Sequence, residues 1–169
     1  MALKDCLLGG LDNEMENSRK VLERVPEDKF GWKPHPKSGT MIWLAGHVAN
    51  LAGWGGFTIK SDELDIMPGG KPMDPPPPPK NRQELIDVFE KGKKDTIEAL
   101  QGATDADLLK TWSLLNNGKT VFSMPRVAVL RGVVINHMIH HRGQLTMYLR
   151  LCDVPVPALY GPSADEGGF

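Results

Sequence analysis

His137 and His141 stand four residues apart in the run Asn136-His137-Met138-Ile139-His140-His141-Arg142-Gly143-Gln144-Leu145. On a helix, side chains at i and i+4 lie on one face about a turn apart. That is near enough for two imidazole nitrogens to share one transition-metal ion. A third imidazole, His47, sits in Leu44-Ala45-Gly46-His47-Val48-Ala49-Asn50, where an ordinary buried helix would carry another aliphatic residue. Unpartnered polar groups inside a core are costly, so these imidazoles need a reason to be there, and shared ligation supplies one. The duller alternative is that each is simply hydrogen-bonded in the core or at its edge. For a lone histidine that alternative wins; for this trio ligation is preferred. Three histidines with no acidic partner leave coordination positions to water or substrate, the pattern of a catalytic rather than a closed structural site. His140 points about 100° away from His141 and stands as the alternative ligand, as an outer partner of the ligands or as a surface residue. Asn50, one turn after His47, is expected to line the open side of the metal. Gln144 and Tyr148, along the histidine face, complete the expected substrate-binding set. His35, flanked by prolines, is read as solvated.

Other chemistry is harder to find. No glycine-rich phosphate loop, no Gly-x-Ser-x-Gly elbow and no Cys-x-x-Cys pair is present. The Glu-x-x-His pattern of carboxylate-bridged di-iron bundles is also missing. Formal net charge is −1, which implies no bulk attraction to nucleic acid or to anionic lipid. No apolar run is long enough to span a membrane, and the start lacks a signal-peptide pattern. With Cys6 and Cys152 near opposite ends, the chain reads as cytoplasmic and reduced. Neither cysteine has a neighbour that would lower its pKa. Arg142 is expected to pair with a carboxylate on another helix, such as Glu14 or Glu16, or to bind substrate.

The elements that must position these side chains follow from periodicity. With 169 residues, 40% of them hydrophobic and 24% charged, the chain suits one domain spanning 1–169. A first helix over 3–24 carries the stripe Leu8, Leu11, Met15, Ser18, Leu22 and Val25, and Pro26 ends it. A sticky connection with Phe30 and Trp32 leads to a second helix over 40–59, capped by Ser38 or Thr40 and apolar on most sides. That breadth predicts burial on more than one face, by the bundle and by a second subunit. Residues 61–80 form a long connection ending in Pro75–Pro79, five prolines that adopt extended polyproline geometry at about 3.1 Å per residue. A ligand for proline-binding domains would look similar, but a stiff crossover between flanking helices fits better. Such a crossover permits the second and third helices to run parallel.

The third helix opens at a capping box, Asn81 with Glu84, and buries Leu85, Val88, Phe89, Gly92, Thr96 and Leu100 before Gly102. Thr111–Leu115, the turn Asn116-Asn117-Gly118 and Thr120–Phe122 predict a short β-hairpin. A fourth helix over 126–151 carries the histidine cluster, with Leu130 and Val134 on the same face as His137 and His141. The proline- and glycine-rich tail, 152–169, cannot continue it.

The motif His137-x-x-x-His141-Arg142-Gly143-Gln144-Leu145, the upstream Gly46-His47 and the closing Val156-Pro157-Ala158-Leu159-Tyr160-Gly161-Pro162-Ser163-Ala164-Asp165-Glu166 together resemble the DinB/YfiT-like proteins, the family named from a DNA-damage-inducible gene. The resemblance covers essentially the whole chain. It implies an all-α, four-helix bundle in up-down-down-up order, a divalent metal (nickel or zinc) on His47, His137 and His141, and a homodimer. It also implies a thiol-dependent S-transferase or related small-molecule transferase or hydrolase, using a low-molecular-weight thiol. A non-catalytic metal-binding stress-response protein is the alternative, because a fold does not determine its chemistry.

Overall fold

A computed structural model describes residues 2–167; Met1 and the last two residues of the tail, 168 and 169, lie outside the described residues. The chain is mostly helical with one small sheet. Four long helices build the core: α1 (Leu3–Leu22), α2 (Met41–Lys60), α3 (Arg82–Gly102) and α5, a continuous helix over 126–151. Between α3 and α5 come a short α4 (Asp105–Leu109) and the strands β2 (Thr111–Asn116) and β3 (Lys119–Pro125). A further strand, β1 (Glu63–Asp65), lies in the connection after α2.

Helix α1 buries Leu7, Leu11, Met15, Ser18 and Leu22. Leu7 thus takes the core place expected for Leu8, which is half-buried. Helix α2 is capped by Thr40, whose hydroxyl accepts from the Trp43 amide at 3.3 Å. It packs closely along α3 because glycine faces glycine: a Cβ on Gly92 would come within 2.6 Å of the Gly53 nitrogen. At the next contact the Thr96 hydroxyl is interposed in the α2 ladder. It accepts from Gly56 N–H at 2.9 Å and donates to the Ala52 carbonyl at 2.5 Å, the two groups an uninterrupted turn would pair. Thr96→Val is expected to cost about 1–3 kcal/mol, since an isosteric methyl leaves two backbone groups poorly matched inside the core. Denaturant unfolding would measure it, and a change below about 0.5 kcal/mol would show that the ladder closes by itself.

Two details of α3 differ from the sequence reading. Asn81 accepts from the Glu84 amide at 2.8 Å, but the Glu84 carboxylate reaches Lys80 N rather than Asn81 N. The reciprocal half of the box is therefore shifted one residue upstream. Val88 is exposed, and the buried stripe runs Leu85, Phe89, Thr96, Leu100.

Strands β2 and β3 pair antiparallel around Asn117 and Gly118, both at positive φ (52° and 73°), as a tight two-residue hairpin turn requires. β1, which periodicity does not reveal, pairs parallel to β2 and makes the sheet three-stranded. The Asp65 carboxylate accepts from Met67, Asn117 and Gly118 amides at 2.8–2.9 Å, tying the start of the crossover to the hairpin turn. These amide bonds hold its pKa below the ordinary carboxylate range. Trp112 is buried beneath the sheet and donates its indole N–H to Ser61.

Helix α5 is not uniform. It begins as α-helix (Arg126–Val129), passes through a π-helical turn (Leu130–Ile135) and resumes as α-helix (Asn136–Leu151). A π turn inserts one residue into the helix and rotates everything after it by about one position. In an unbroken helix Leu130 and Val134 would continue into His137 and His141. With the insertion they continue into Met138 and Arg142, both fully buried, and the histidines move to the half-buried border. The expectation that one face holds both pairs is therefore corrected.

Arg142 fills its core place with a partner for each end. Its guanidinium meets the Glu14 carboxylate at 2.7 Å, the Glu14 carbonyl at 2.9 Å and the Ser18 hydroxyl at 3.3 Å. Of the two expected carboxylates, Glu14 is the partner. Tyr160 completes the cluster: its hydroxyl accepts from Arg142 and donates to Glu14 at 2.6 Å. Ion pairs to the helices and a bond within the tail hold it in place. Arg24 pairs with Glu166, Arg150 with Asp165 at 2.5 Å, and Asp165 accepts from Val156 N at 2.8 Å.

Candidate metal centre

The centre lies where the second turn of α2 meets the α-helical part of α5. His47, His137 and His141 each offer a ring nitrogen, and these atoms all lie within 4.8 Å of one another. Ring centroids are 5.0, 4.6 and 4.7 Å apart, a nearly equilateral triangle. The Nε2 atoms of His47 and His137 are separated by 3.3 Å. Two nitrogens bound at about 2.0–2.1 Å to one tetrahedral ion would stand about 3.3–3.4 Å apart. The donor set therefore fits a divalent transition metal. No carboxylate belongs to the group, so three imidazoles would leave a position open.

Each ring is held from behind. Gln144 Oε1 lies 2.7 Å from His141 Nδ1; with the amide oxygen accepting, His141 is protonated there and presents Nε2 forward. His137 hydrogen-bonds to the backbone of Val133, within the π turn. The Trp43 indole stacks on His47 with centroids 5.5 Å apart and planes 6° from parallel. Gly39 makes that position available, since a Cβ there would meet the indole at 2.4 Å. Burial, then the neighbouring His141 and His137, depress the His47 pKa to about 4. Burial first and His141 second also lower that of His137. Both rings are accordingly neutral near pH 7, the form in which imidazole binds a metal.

Outer partners of ligating histidines typically matter 10–100-fold in metal affinity. Gln144→Ala is therefore expected to weaken zinc binding by about 10–100-fold with little loss of fold stability. Competition against a chromogenic chelator would measure this, and an unchanged affinity would show that Gln144 does not orient the ring.

The remaining expected site residues divide. Asn50 donates to the Gly46 carbonyl at 2.8 Å and lines a cleft of about 520 Å³ that also contains His47, Trp43, Trp54 and Pro75–Pro79. Tyr148 is elsewhere. It packs edge-on against Trp32 at 5.6 Å, points its hydroxyl at the Gly39 carbonyl, and lines a second depression with Gln144 on the far side of Trp43. His140 is exposed; its ring lies 4.9 Å from that of His141 but outside the ligand cluster. Periodicity does not show the prolines as a wall of the site, because only the tertiary path lays them beside α2. The repeat Trp43, His47, Asn50, Trp54 was the available signal.

A family model described as the DinB superfamily matches residues 11–145. The chain belongs to the DinB superfamily. Among similar proteins, an uncharacterized protein, YrdA of Bacillus subtilis strain 168, is 24% identical over 163 residues, covering 96% of this chain and 90% of that protein. The crystal structure of a DinB-like protein from Bacillus cereus ATCC 10987 superposes with a TM-score of 0.67 at 25% identity, over 91% of this chain and 95% of that one. A second DinB-like protein, YjoA of Bacillus subtilis, gives 0.66 at 16% identity over 89% and 95% of the two chains, a likeness of fold alone.

Two further sequence readings bear on the chemistry. Cys152 is half-buried and burial raises its thiol pKa, the wrong direction for a nucleophile. Among the described residues, no helix is long and apolar enough to cross a membrane.

Proposed function

We propose that this DinB-superfamily chain is a divalent-metal enzyme, with nickel or zinc on His47, His137 and His141, that joins a low-molecular-weight thiol to a small electrophile or hydrolyses a small molecule. The observation that supports it is three convergent imidazole nitrogens, without a carboxylate, beside an open cleft of about 520 Å³. A metal bound there supplies Lewis acidity, lowering the pKa of a thiol or water at its open position. The chain's own residues do the rest. Gln144 and Trp43 fix two of the rings, and Asn50 stands at the cleft wall, where its amide can hold a polar group of the substrate. Arg142, buried with Glu14, ties α5 to α1 directly behind His141. The same reading takes residues 1–169 as one domain, the four long helices in up-down-down-up order, a cytoplasmic location and no nucleic-acid or membrane partner. Exposed Met147 and Leu151, neighbours on one face of α5, support a homodimer.

The alternative, a metal-binding stress protein without turnover, would be favoured by a sealed centre. Trp43 is instead 56% exposed, and the cleft beside His47 is open. The test is protein loaded with zinc or nickel and offered a small thiol with 1-chloro-2,4-dinitrobenzene, or a p-nitrophenyl ester alone. Metal-dependent turnover that falls at least 100-fold in His141→Ala is the expected result. Turnover surviving in the chelator-stripped protein would overturn the reading.

A further inference from the structure

We infer that the cleft beside His47 selects a neutral substrate carrying a flat, apolar aryl group, which slots between the indoles of Trp43 and Trp54 and the proline wall. The inference deepens the metal-enzyme reading and rests on it for the identity of the reacting end.

One wall is a single face of α2. Trp43, Gly46, His47, Asn50 and Trp54 recur at spacings of three and four, so they share that face. The two indoles are eleven residues apart, about 16 Å along the axis at about 1.5 Å per residue. They bracket the metal-side imidazole and the Asn50 amide. Between them the proline run packs onto α2 at Gly46, where a Cβ would meet Pro79 at 3.4 Å, an ordinary contact. Such a stripe on a helix is ordinarily sealed by a neighbouring helix. Here the facing element is Pro75–Pro79, which closes the cleft on one side only.

The chemistry of both walls excludes charge. Among the described residues lining the cleft, none is Asp, Glu, Lys or Arg. Proline has no N–H, so the second wall offers no backbone donor along its five residues. Away from the His47 end, an anionic group lodged against the indoles and prolines would lose water without gaining a charged partner, which is costly. What the walls do offer is area and π-faces: two indoles and a row of pyrrolidine rings, against which a flat apolar group packs well. Polar capacity is small and uncharged: the Thr40 hydroxyl, which already accepts from Trp43 N, the proline carbonyls, and Asn50. One Asn50 N–H is used by the Gly46 carbonyl, leaving its amide oxygen and second N–H for a carbonyl or hydroxyl on the ligand. A volume of about 520 Å³ falls within the range of small-molecule sites.

The probes are naphthalene-2-methanol, neutral and flat, and naphthalene-2-sulfonate, its anionic counterpart, titrated calorimetrically into the protein as purified. The neutral probe is expected to bind at one site per chain, at least tenfold more tightly than the sulfonate. Trp54→Ala and Trp43→Ala should each weaken it at least fivefold. Trp43 is more than half exposed, so its removal tests the cleft even if the Trp54 variant does not fold. Equal affinity for the sulfonate, or undiminished binding in Trp43→Ala, would overturn the inference. Metal content measured on the same samples separates the two readings. Metal present with no naphthyl binding sinks the cleft assignment alone, whereas binding retained in a wild type that takes up no metal sinks the metal centre.

Discussion

Untagged wild-type protein is expected to carry close to one divalent ion per chain, and His47→Ala, His137→Ala and His141→Ala are each expected to lose it. The three nitrogens lie within 4.8 Å of one another, so removing any one leaves two donors and opens the centre to water. The loss should exceed the 10–100-fold typical of outer partners such as Gln144. His140→Ala should retain the ion, because its exposed ring lies outside the cluster. Bound metal should also stabilise the fold. An ion present at about 100 times its dissociation constant contributes about 2.7 kcal/mol. For a domain of this size that raises Tm by about 5–11 °C, at about 2–4 °C per kcal/mol. Elemental analysis beside thermal melts, with and without chelator, checks both. Metal content indifferent to all three substitutions would remove the ligand assignment and leave the imidazoles as packing.

The second large effect concerns Arg142, which is 1% exposed. Arg142→Ala leaves the Glu14 carboxylate, itself largely buried, without its cation, and removes the donor that Tyr160 and Ser18 accept from. Breaking a buried pair from one side typically costs about 3–5 kcal/mol. A Tm lower by about 6–20 °C is expected. The double substitution Arg142→Met with Glu14→Leu should recover most of that loss, since a well-packed apolar pair often matches a buried ion pair. Because Arg142 follows His141 directly, the single variant should also weaken metal binding while the double variant restores it. Denaturant melts and chelator competition on the three proteins decide the matter. A single-variant loss under about 1 kcal/mol would mean that water reaches the pair.

The histidine trio was legible because helix geometry is local. His137 and His141 share a face at any i, i+4 spacing, and the apolar neighbours of His47 marked it as unusual. The turn Asn117-Gly118 and the caps at Thr40 and Asn81 were legible for the same reason, each resting on contacts within four residues. The π turn was not. Nothing in Leu130-Arg131-Gly132-Val133-Val134-Ile135 marks an inserted residue, and only the fit of Met138 and Arg142 into the core requires it. β1 was missed because three residues are too few to establish a period, and its partner strand is some fifty positions away.

The sequence by itself therefore determined the helices, their caps, the hairpin turn and which imidazoles were out of place, since short-range sterics and periodicity decide all of these. Tertiary structure alone decided that His47 meets His137, 90 residues apart at 3.3 Å, and that the proline run walls a cleft beside α2. It also settled that Arg142 turns inward to Glu14 while the histidines stay at the border. Each of those outcomes depends on how separate segments fill one shared core, and close packing, not local propensity, selects among the arrangements that the local rules permit.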